Sequence, residues 1–199
     1  NERCLIAKWT HLKNMKQYVI MDLEWTSWKG NYYGNNQEKR KSWQKREIIQ
    51  IGAVKFDKNY KIIDKLNIYV KPIFNPILSD YIKNLTRINQ KKLEKVGMTF
   101  TQSYKIVKKF CKGTKIFSNG GDYFIMKINL DYNNLIDRKL NIINIRKILN
   151  MKYKIPRKFL YSSVIHTFFG YKLKKNKMHN AMHDCLNVLK ALKKSKFIL

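Results

Sequence analysis

Two acids follow an apolar stretch near the beginning of the chain. Residues 18–25 read YVIMDLEW, so apolar and aromatic side chains lead directly to Asp22 and Glu24. This pattern predicts a buried strand, in which residues two apart point to the same face and bring both carboxylates together. Paired carboxylates repel each other unless a proton or a cation lies between them, and Mg²⁺ and Mn²⁺ prefer such oxygen ligands. The pair therefore indicates a divalent metal site, with two solvated acids as the alternative.

A histidine and an aspartate stand near the end of the chain. His179 lies five residues before Asp184, and apolar residues at helical spacing follow, which predicts an amphipathic helix over residues 178–194. The helix dipole favours an acid in the first helical turn, which lowers the cost of using Asp184 as a ligand. The plainer interpretation is a surface acid beside a loop histidine.

The same segment contains a second pattern, which is half of a zinc site. His179 and His183 are spaced as i and i+4, and Cys185 follows closely. Position 180 is Asn where a zinc-protease motif has Glu, and no second cluster of cysteine or histidine supplies further ligands. We therefore regard zinc as the weaker alternative and His183 as a bystander.

A further acid, Asp122, follows the turn Ser118-Asn-Gly-Gly121 in the middle of the chain. Residues 115–117 predict a short strand before this turn, and residues 122–134 predict a helix after it. Asp122 is thus placed either to cap that helix or to join the other acids. Its position alone leaves both interpretations open.

The elements that must hold these residues alternate between strands and helices. A meander of three strands is predicted over residues 18–25, 48–56 and 62–70. Short helices over residues 79–85, 89–96 and 101–110 are expected next, the first capped by Ser79 and the second by Asn89. The strand at 115–117 and the helix at 122–134 follow. A fifth strand over residues 142–148, a helix over 159–169 ended by Gly170, and the helix over 178–194 complete the order. This order predicts an α/β fold with a mixed, roughly five-stranded sheet flanked by helices.

The length and composition of the chain fit one ordinary packed domain. The chain has 199 residues, 44% of them hydrophobic, and we assign residues 15–199 to that domain. Residues 1–14 show no clear periodicity and precede Met15, so we expect them to be a dispensable extension. Three scattered cysteines, no apolar run long enough for a membrane span and no signal-peptide pattern predict an intracellular, cytoplasmic protein that has no contact with membranes.

The formal charge of +29 suggests a polyanionic partner. A field of this strength attracts nucleic acid and speeds its capture. The chain is also rich in Lys, Asn and Ile together, which is the composition that an AT-rich genome produces. The charge therefore permits nucleic-acid binding without establishing it.

Taken together, the motifs resemble the DEDDh exonuclease family. Asp22-Leu-Glu24, Asp122 and the segment from His179 to Asp184 occur in the family's order, and residues 47–54 (EIIQIGAV) match its second strand. Further phrases resemble the subgroup that contains the histone-mRNA 3′ exonucleases and KapD-like proteins: YVKP at 69–72, NP at 75–76, LS at 78–79 and LTRI at 85–88. The chain departs from this subgroup in having Arg87 where Gly is usual, and Gly121 where an aromatic residue commonly precedes the middle acid.

The resemblance implies a ribonuclease H-like, three-layer fold and a two-metal hydrolysis. Asp22, Glu24, Asp122 and Asp184 would hold two Mg²⁺ or Mn²⁺ ions, and His179 would be the general base. The product would be nucleoside monophosphates released from a single-stranded 3′ end, with RNA favoured over DNA.

Substrate contacts follow from the same resemblance with less support. Trp25 could stack on the terminal base and Thr26 could contact the nucleotide, although the core is an equally good place for an indole. The basic residues 39–41, 45 and 46 either guide the strand or form a solvated charged loop. Two other functions stay open: a DNA proofreading or repair exonuclease of the same fold, and a non-catalytic nucleic-acid-binding module.

Overall fold

The structure of the protein is a computed structural model, which describes residues 17–30 and 41–197. The proposed extension, residues 1–14, lies outside the described residues, as do Lys39 and Arg40 of the basic loop. No helix in the described part of the chain combines the length and the apolar character needed to cross a membrane.

Five strands form one mixed sheet, as the sequence predicts. Their order across the sheet is β3-β2-β1-β4-β5. The meander β1–β3 is antiparallel, whereas β4 pairs with β1, and β5 with β4, in parallel. The strands are β1 (Gln17–Trp25), β2 (Ile48–Asp57), β3 (Ile62–Tyr69), β4 (Lys115–Ser118) and β5 (Ile142–Asn144).

Seven α-helices lie within the described residues. They are α1 (Asp80–Thr86), α2 (Gln90–Val96), α3 (Phe100–Phe110), α4 (Asp122–Tyr132), α5 (Ile145–Tyr153), α6 (Ile165–Phe168) and α7 (Ala181–Lys194). Local side chains define several of their ends: Ser79 caps α1 and Asn89 caps α2, each by accepting a backbone N–H bond. These two caps are the ones that the sequence predicts.

The helices cover both faces of the sheet and make a three-layer α/β fold. On one face, Tyr18 and Ile20 of β1 pack in a core cluster with α5, α6 and α7. On the other face, Val19, Met21 and Leu23 pack against α3 and α4. Alternate residues of β1 thus belong to different layers. Asp22 and Glu24 continue the series of Tyr18 and Ile20, so they lie on the α7 side.

Three predicted boundaries are wrong. The strand expected over residues 142–148 ends at Asn144, whose side chain accepts a bond from the Arg146 amide and starts α5 instead. The helix expected over 159–169 is a 3₁₀ turn, Arg157–Phe159, followed by the single-turn helix α6. Gly170 does follow α6 with a φ of 87°, a left-handed conformation that suits glycine. The last helix begins at Ala181 rather than Met178, because Asn180 caps it and His179 has a φ of 55°.

Candidate active site

β1 brings Asp22 and Glu24 to one buried point beside α7. Asp22 is 7% exposed and Glu24 is 8% exposed, although both are acids. They lie at the end of β1 that pairs with the beginning of β2, where Asp22 is opposite Gly52. The apolar residues that precede them belong to the core clusters on both faces of the sheet. Because β1 is a central, buried strand, its two acids are buried as well.

Helix α7 brings Asp184 to the same point because its first turn lies directly on β2. A Cβ atom built on Gly52 would lie 2.4 Å from the Ala181 carbonyl carbon, so only glycine allows this approach. The buried Gln50 side chain accepts a 3.1 Å bond from the Ala181 amide, and its own amide donates to Asn67. Asp184 is 3% exposed. Gly52 and Gln50 of β2 therefore determine how close its helix lies to the sheet.

Asp122 reaches the site from the opposite layer. Its Oδ1 accepts a 3.1 Å bond from the Leu23 amide, the amide that lies between Asp22 and Glu24. The N-cap of α4 is Gly121, and no side chain caps this helix, so Asp122 does not act as the cap that its position alone allowed. Its side chain is 5% exposed and faces β1. The geometry thus joins the middle acid to the other three.

His179 lies in the loop that precedes α7. One of its ring nitrogens, a Glu24 carboxylate oxygen and an Asp184 carboxylate oxygen all lie within 4.8 Å of one another. The loop is fixed from the side by Arg87, whose guanidinium donates to the carbonyls of Met178 at 3.0 Å and Lys175 at 3.4 Å. Burial, and then the charge of Arg87, lowers the pKa of His179 below its usual value. The ring is therefore held next to the acids in a state that favours the neutral form at pH 7.

Burial dominates the electrostatics of the four acids. It raises the pKa of Asp22 well above its usual value, and the charges of Asp122, Asp184 and Glu24 raise it further. The pKa of Glu24 is raised in the same way by burial, Asp184 and Asp122. Burial raises the pKa of Asp184 to about 8. Burial also raises the pKa of Asp122, to about 6, and bonds from backbone amides and the charge of Arg146 oppose that increase. Without added positive charge, the site cannot hold all its carboxylates ionised at neutral pH.

These residues fit divalent metal ions. The donors are buried carboxylate oxygens, which suit hard cations such as Mg²⁺ and Mn²⁺. Asp184 Oδ1 is buried and has no hydrogen-bond partner among the described residues, which is costly for a carboxylate unless a cation or proton satisfies it. Glu24, His179 and Asp184 form the metal-ligand cluster that the described residues contain.

The zinc alternative does not fit this geometry. Neither His183 nor Cys185 belongs to the cluster. The Cys185 thiol is fully buried and donates to the Gly52 carbonyl at 3.2 Å, and burial raises its pKa well above the usual value, which disfavours the thiolate that zinc binds. His183 instead lines a groove on the outer side of α7, and none of the four acids lines that groove.

The two residues suggested as substrate contacts are placed differently. Trp25 is partly buried and packs against the core layer of α3 and α4. Thr26 is 2% exposed, and its hydroxyl donates to the Lys45 carbonyl and accepts from the Glu47 amide. The hydroxyl of Thr26 thus connects the end of β1 to the residues just before β2. This favours a structural role over contact with a nucleotide.

Several polar residues that the sequence analysis did not single out position the site. Glu47 is buried and accepts backbone bonds from Ile73, Phe74 and Asn75, which folds the segment before α1. Asn129 joins α4 to β2 by accepting from the Ile48 amide and donating to the Arg46 carbonyl. Gln50 interrupts the apolar beginning of β2 and Glu47 directly precedes that strand, and these two polar positions beside apolar residues are the signal that the sequence contains.

Comparison with known proteins gives the same family as these residues. The exonuclease family model RNase_T matches residues 19–192. The 3′-5′ exonuclease eri1 of Schizosaccharomyces pombe is 48% identical over 50 residues, which are 25% of this chain and only 17% of that protein.

Solved structures share the fold at lower identity. The nuclease domain of 3′hExo, a DEDDh family member, bound to rAMP, has a TM-score of 0.78 and 24% identity over 92% of this chain and 93% of that one. An Escherichia coli ExoI–ssDNA complex has a TM-score of 0.68 and 12% identity, over 92% of this chain and 41% of that one. These likenesses show a ribonuclease H-like exonuclease fold. Because the family model covers residues 19–192, nearly all of the described sequence, the chain belongs to the exonuclease family.

Proposed function

We propose that this exonuclease releases nucleoside monophosphates from the 3′ end of single-stranded RNA by two-metal hydrolysis, with His179 as the general base. The observation that carries the proposal is the convergence of four buried acids, from β1, α4 and α7, beside one histidine on a separate loop. A protein that only binds nucleic acid has no use for buried acids that repel its ligand.

Asp22, Glu24, Asp122 and Asp184 would hold two Mg²⁺ or Mn²⁺ ions. When bound, such ions stabilise the attacking and the departing oxygens of a phosphodiester during in-line displacement. The protein supplies the carboxylates at fixed positions: Asp22 and Glu24 from a rigid strand, and Asp184 from a helix that Gly52 and Gln50 hold against that strand. Asp122 is aligned by the Leu23 amide.

His179 would take the proton from the attacking water at a ring nitrogen. The lowered pKa keeps this nitrogen unprotonated at neutral pH, which a general base requires. The loop lies next to Glu24 and Asp184, so the proton would leave the water close to the acids that orient it. Trp25 remains a candidate for stacking on the terminal base, since its indole is only partly buried.

RNA as the substrate is supported by the relatives. The structural neighbours include 3′hExo with bound rAMP and a 3′-exonuclease that recognises the histone mRNA stem-loop at its 3′ end. The phrases at residues 69–88 resemble the same subgroup. The four acids do not by themselves distinguish RNA from DNA, so the preference for RNA must be tested directly.

The test is a time course on RNA and DNA of one sequence, labelled at the 5′ end, single- and double-stranded, with Mg²⁺, with Mn²⁺ and with EDTA. We expect shortening from the 3′ end, faster on single-stranded RNA, and none in EDTA. Asp22→Asn should lose at least about 10²-fold in turnover, because it removes a charge that acts in the transition state. The matched control is Asp131→Asn, an exposed acid on α4, which should cut at the wild-type rate.

The outcomes separate the parts of the proposal. Equal or faster cutting of DNA would overturn the RNA preference and favour a DNA repair exonuclease. Persistent activity of Asp22→Asn would remove the assigned metal site. His179→Ala should lower turnover by about 10²- to 10⁴-fold, the usual contribution of a general base, while Mn²⁺ binding by calorimetry stays intact. Equal losses of Mn²⁺ binding and turnover would make His179 a ligand rather than the base.

A further inference from the structure

A basic groove runs along the outer side of α7, next to the site but separate from it. Its volume is about 300 Å³, and its walls carry Lys172, Lys174, Lys177, Lys190 and Lys193. We call it the lysine groove. Sites for whole small molecules start at about this volume, so a groove of this size suits a few groups of a longer ligand better than one enclosed molecule.

The charge of the lysine groove is not balanced by the protein. All five lysines are exposed, and the described residues that line the groove include no acid. The ion pairs in the described part of the chain involve Lys83 and Lys108, so none of the groove lysines has a carboxylate partner there. Five uncompensated ammonium groups on one concave surface attract an anion and require no prior salt bridge to be broken.

The groove begins at His183, the residue that precedes Asp184 in the first turn of α7. His183, Asn187 and Lys190 follow one face of α7 at helical spacing, and Lys193 continues that face. This face starts in the helical turn that carries Asp184 on its buried side. From His183 to Lys193 the helix rises about 15 Å, at ~1.5 Å per residue. A strand whose 3′ end occupies the site can therefore continue along the groove.

The floor of the groove is apolar and firmly built. Tyr60, Ile62, Leu186 and Leu189 contribute to it between the lysines. The buried His166 donates from Nε2 to the Lys172 carbonyl at 3.3 Å and so holds the loop that carries Lys172. Its Nδ1 has no partner among the described residues. This alternating surface is complementary to a nucleic-acid strand. Its phosphates can contact the lysines, and its sugars and bases can contact the apolar surface between them.

We propose that the lysine groove binds the phosphodiester backbone of the substrate strand, several nucleotides upstream of the 3′ end that is cut. The proposal rests on the proposed function for its substrate class, a single-stranded nucleic acid. Lysines that contact phosphates add affinity without sequence preference, so the groove would hold any strand and keep it bound between successive cuts.

The test compares two double substitutions of equal charge. Lys190→Gln/Lys193→Gln removes two groove lysines, and Lys105→Gln/Lys109→Gln removes two exposed lysines of α3, on the opposite face of the sheet. Gln and Lys have similar helix propensity, so neither change should disturb its helix. Dissociation constants for RNA of 3, 6, 12 and 20 nucleotides are measured in EDTA over a range of salt concentrations.

We expect the groove variant to bind 12- and 20-nucleotide strands at least about tenfold more weakly at low salt, with little change for the trinucleotide. The slope of log K against log salt should fall by about 1.4, since each phosphate contact with a single strand contributes about 0.7. The α3 variant should keep the wild-type slope. Equal changes in the two variants would overturn the proposal, because only the total charge would then matter.

Two further readouts distinguish the possible failures. Inorganic phosphate and a mononucleotide are added as competitors at low millimolar concentration. If either displaces a 20-nucleotide strand from wild type but not from the groove variant, the groove takes a small free anion and the proposal fails. Hydrolysis of a dinucleotide by wild type with Mn²⁺ reports the catalytic site alone. Its absence would contradict the proposed function, while the length dependence of binding would still decide on the groove.

Discussion

Arg87 shows how one side chain can connect distant parts of the site. It follows α1 with a φ of 61°, a left-handed conformation that costs a residue with a Cβ atom roughly 1–2 kcal/mol relative to glycine. The related subgroup usually has Gly at this position. Here the arginine donates to two carbonyls of the segment before His179, which lies 92 positions further along the chain. The strained conformation of Arg87 thus occurs together with a contact that positions the loop of His179, the proposed base.

Replacing Arg87 should separate stability from turnover. Arg87→Gly relieves the left-handed strain but removes both hydrogen bonds to the loop, so we expect an unchanged or higher Tm and a several-fold lower kcat on a dinucleotide. Arg87→Lys keeps the charge and loses the two-donor geometry, so it should also lower kcat. Thermal unfolding and steady-state kinetics measure both effects. A wild-type kcat in Arg87→Gly would show that the loop needs no support from α1.

At the scale of elements, the site depends on how closely α7 approaches the sheet. Gly52 of β2 lies opposite Asp22 in the strand register and beneath the first residues of α7. A Cβ atom at position 52 would lie 2.4 to 2.6 Å from backbone atoms of Ala181 and Met182, and backbone cannot move aside as a flexible side chain can. The distance between the acids of β1 and Asp184 is therefore set by the absence of one methyl group.

Gly52→Ala should displace α7 and impair catalysis more than folding. Overpacking of this kind costs about 1–3 kcal/mol, whereas a shift of about 1 Å in a catalytic group can cost about 10²-fold in rate. The matched control is Gly121→Ala, which lies beside Asp122 with nothing within 4 Å of its Cβ position. Chemical denaturation and exonuclease rates measure the two quantities. Equal activity of the Gly52 variant and its control would show that the helix tolerates the shift.

Local signals explain which elements the sequence could predict. β1 and β2 are long apolar runs, and α1 and α2 begin at Ser79 and Asn89, so their positions follow from nearby residues. The segment 159–169 misleads because Leu160, Val164 and Phe168 recur at intervals of four residues, as in a helix. In the structure, Phe159, Phe168 and Phe169 pack instead as an aromatic cluster around a turn. The four site acids could be ranked from motifs and family order. The partners of Asp122 and Ala181 could not, because the bonds to the Leu23 amide and to Gln50 join residues 99 and 131 positions apart.

For the whole molecule, the distribution of charge is as informative as its total. The chain has 42 basic and 13 acidic residues, and four of those acids, Asp22, Glu24, Asp122 and Asp184, are buried together. The outside therefore attracts a polyanion, while the centre of the site repels it until cations or protons neutralise the carboxylates. Capture of the strand and its hydrolysis thus have opposite electrostatic requirements, and the metal ions of the proposed function would reconcile them.

The raised pKa values predict how stability depends on pH in the absence of metal. Asp184 has a pKa of about 8 in the folded protein and about 3.9 when unfolded, so at pH 6.5–8 the folded state binds the extra proton. Stability must then fall as pH rises through this window, and the loss is complete above the folded pKa. Asp22 and Glu24, whose pKa values are raised in the same direction, add to the decline. Histidines with lowered pKa values act in the opposite sense only below about pH 6.5, where the unfolded side chains become protonated.

Melting temperatures in EDTA should therefore decrease from pH 6.5 to 8.5, and Mn²⁺ should raise Tm by an amount that grows over the same range, because the cation replaces the protons. Asp184→Asn removes the group with the pKa of about 8, so its Tm in EDTA should change less with pH and its response to Mn²⁺ should be smaller. The control is Asp131→Asn, an exposed acid of α4, which should follow the wild-type curve. Parallel curves for wild type and Asp184→Asn would mean that Asp184 is ionised throughout the window, and that the buried acids are neutralised by the protein's own positive charges rather than by protons or metal.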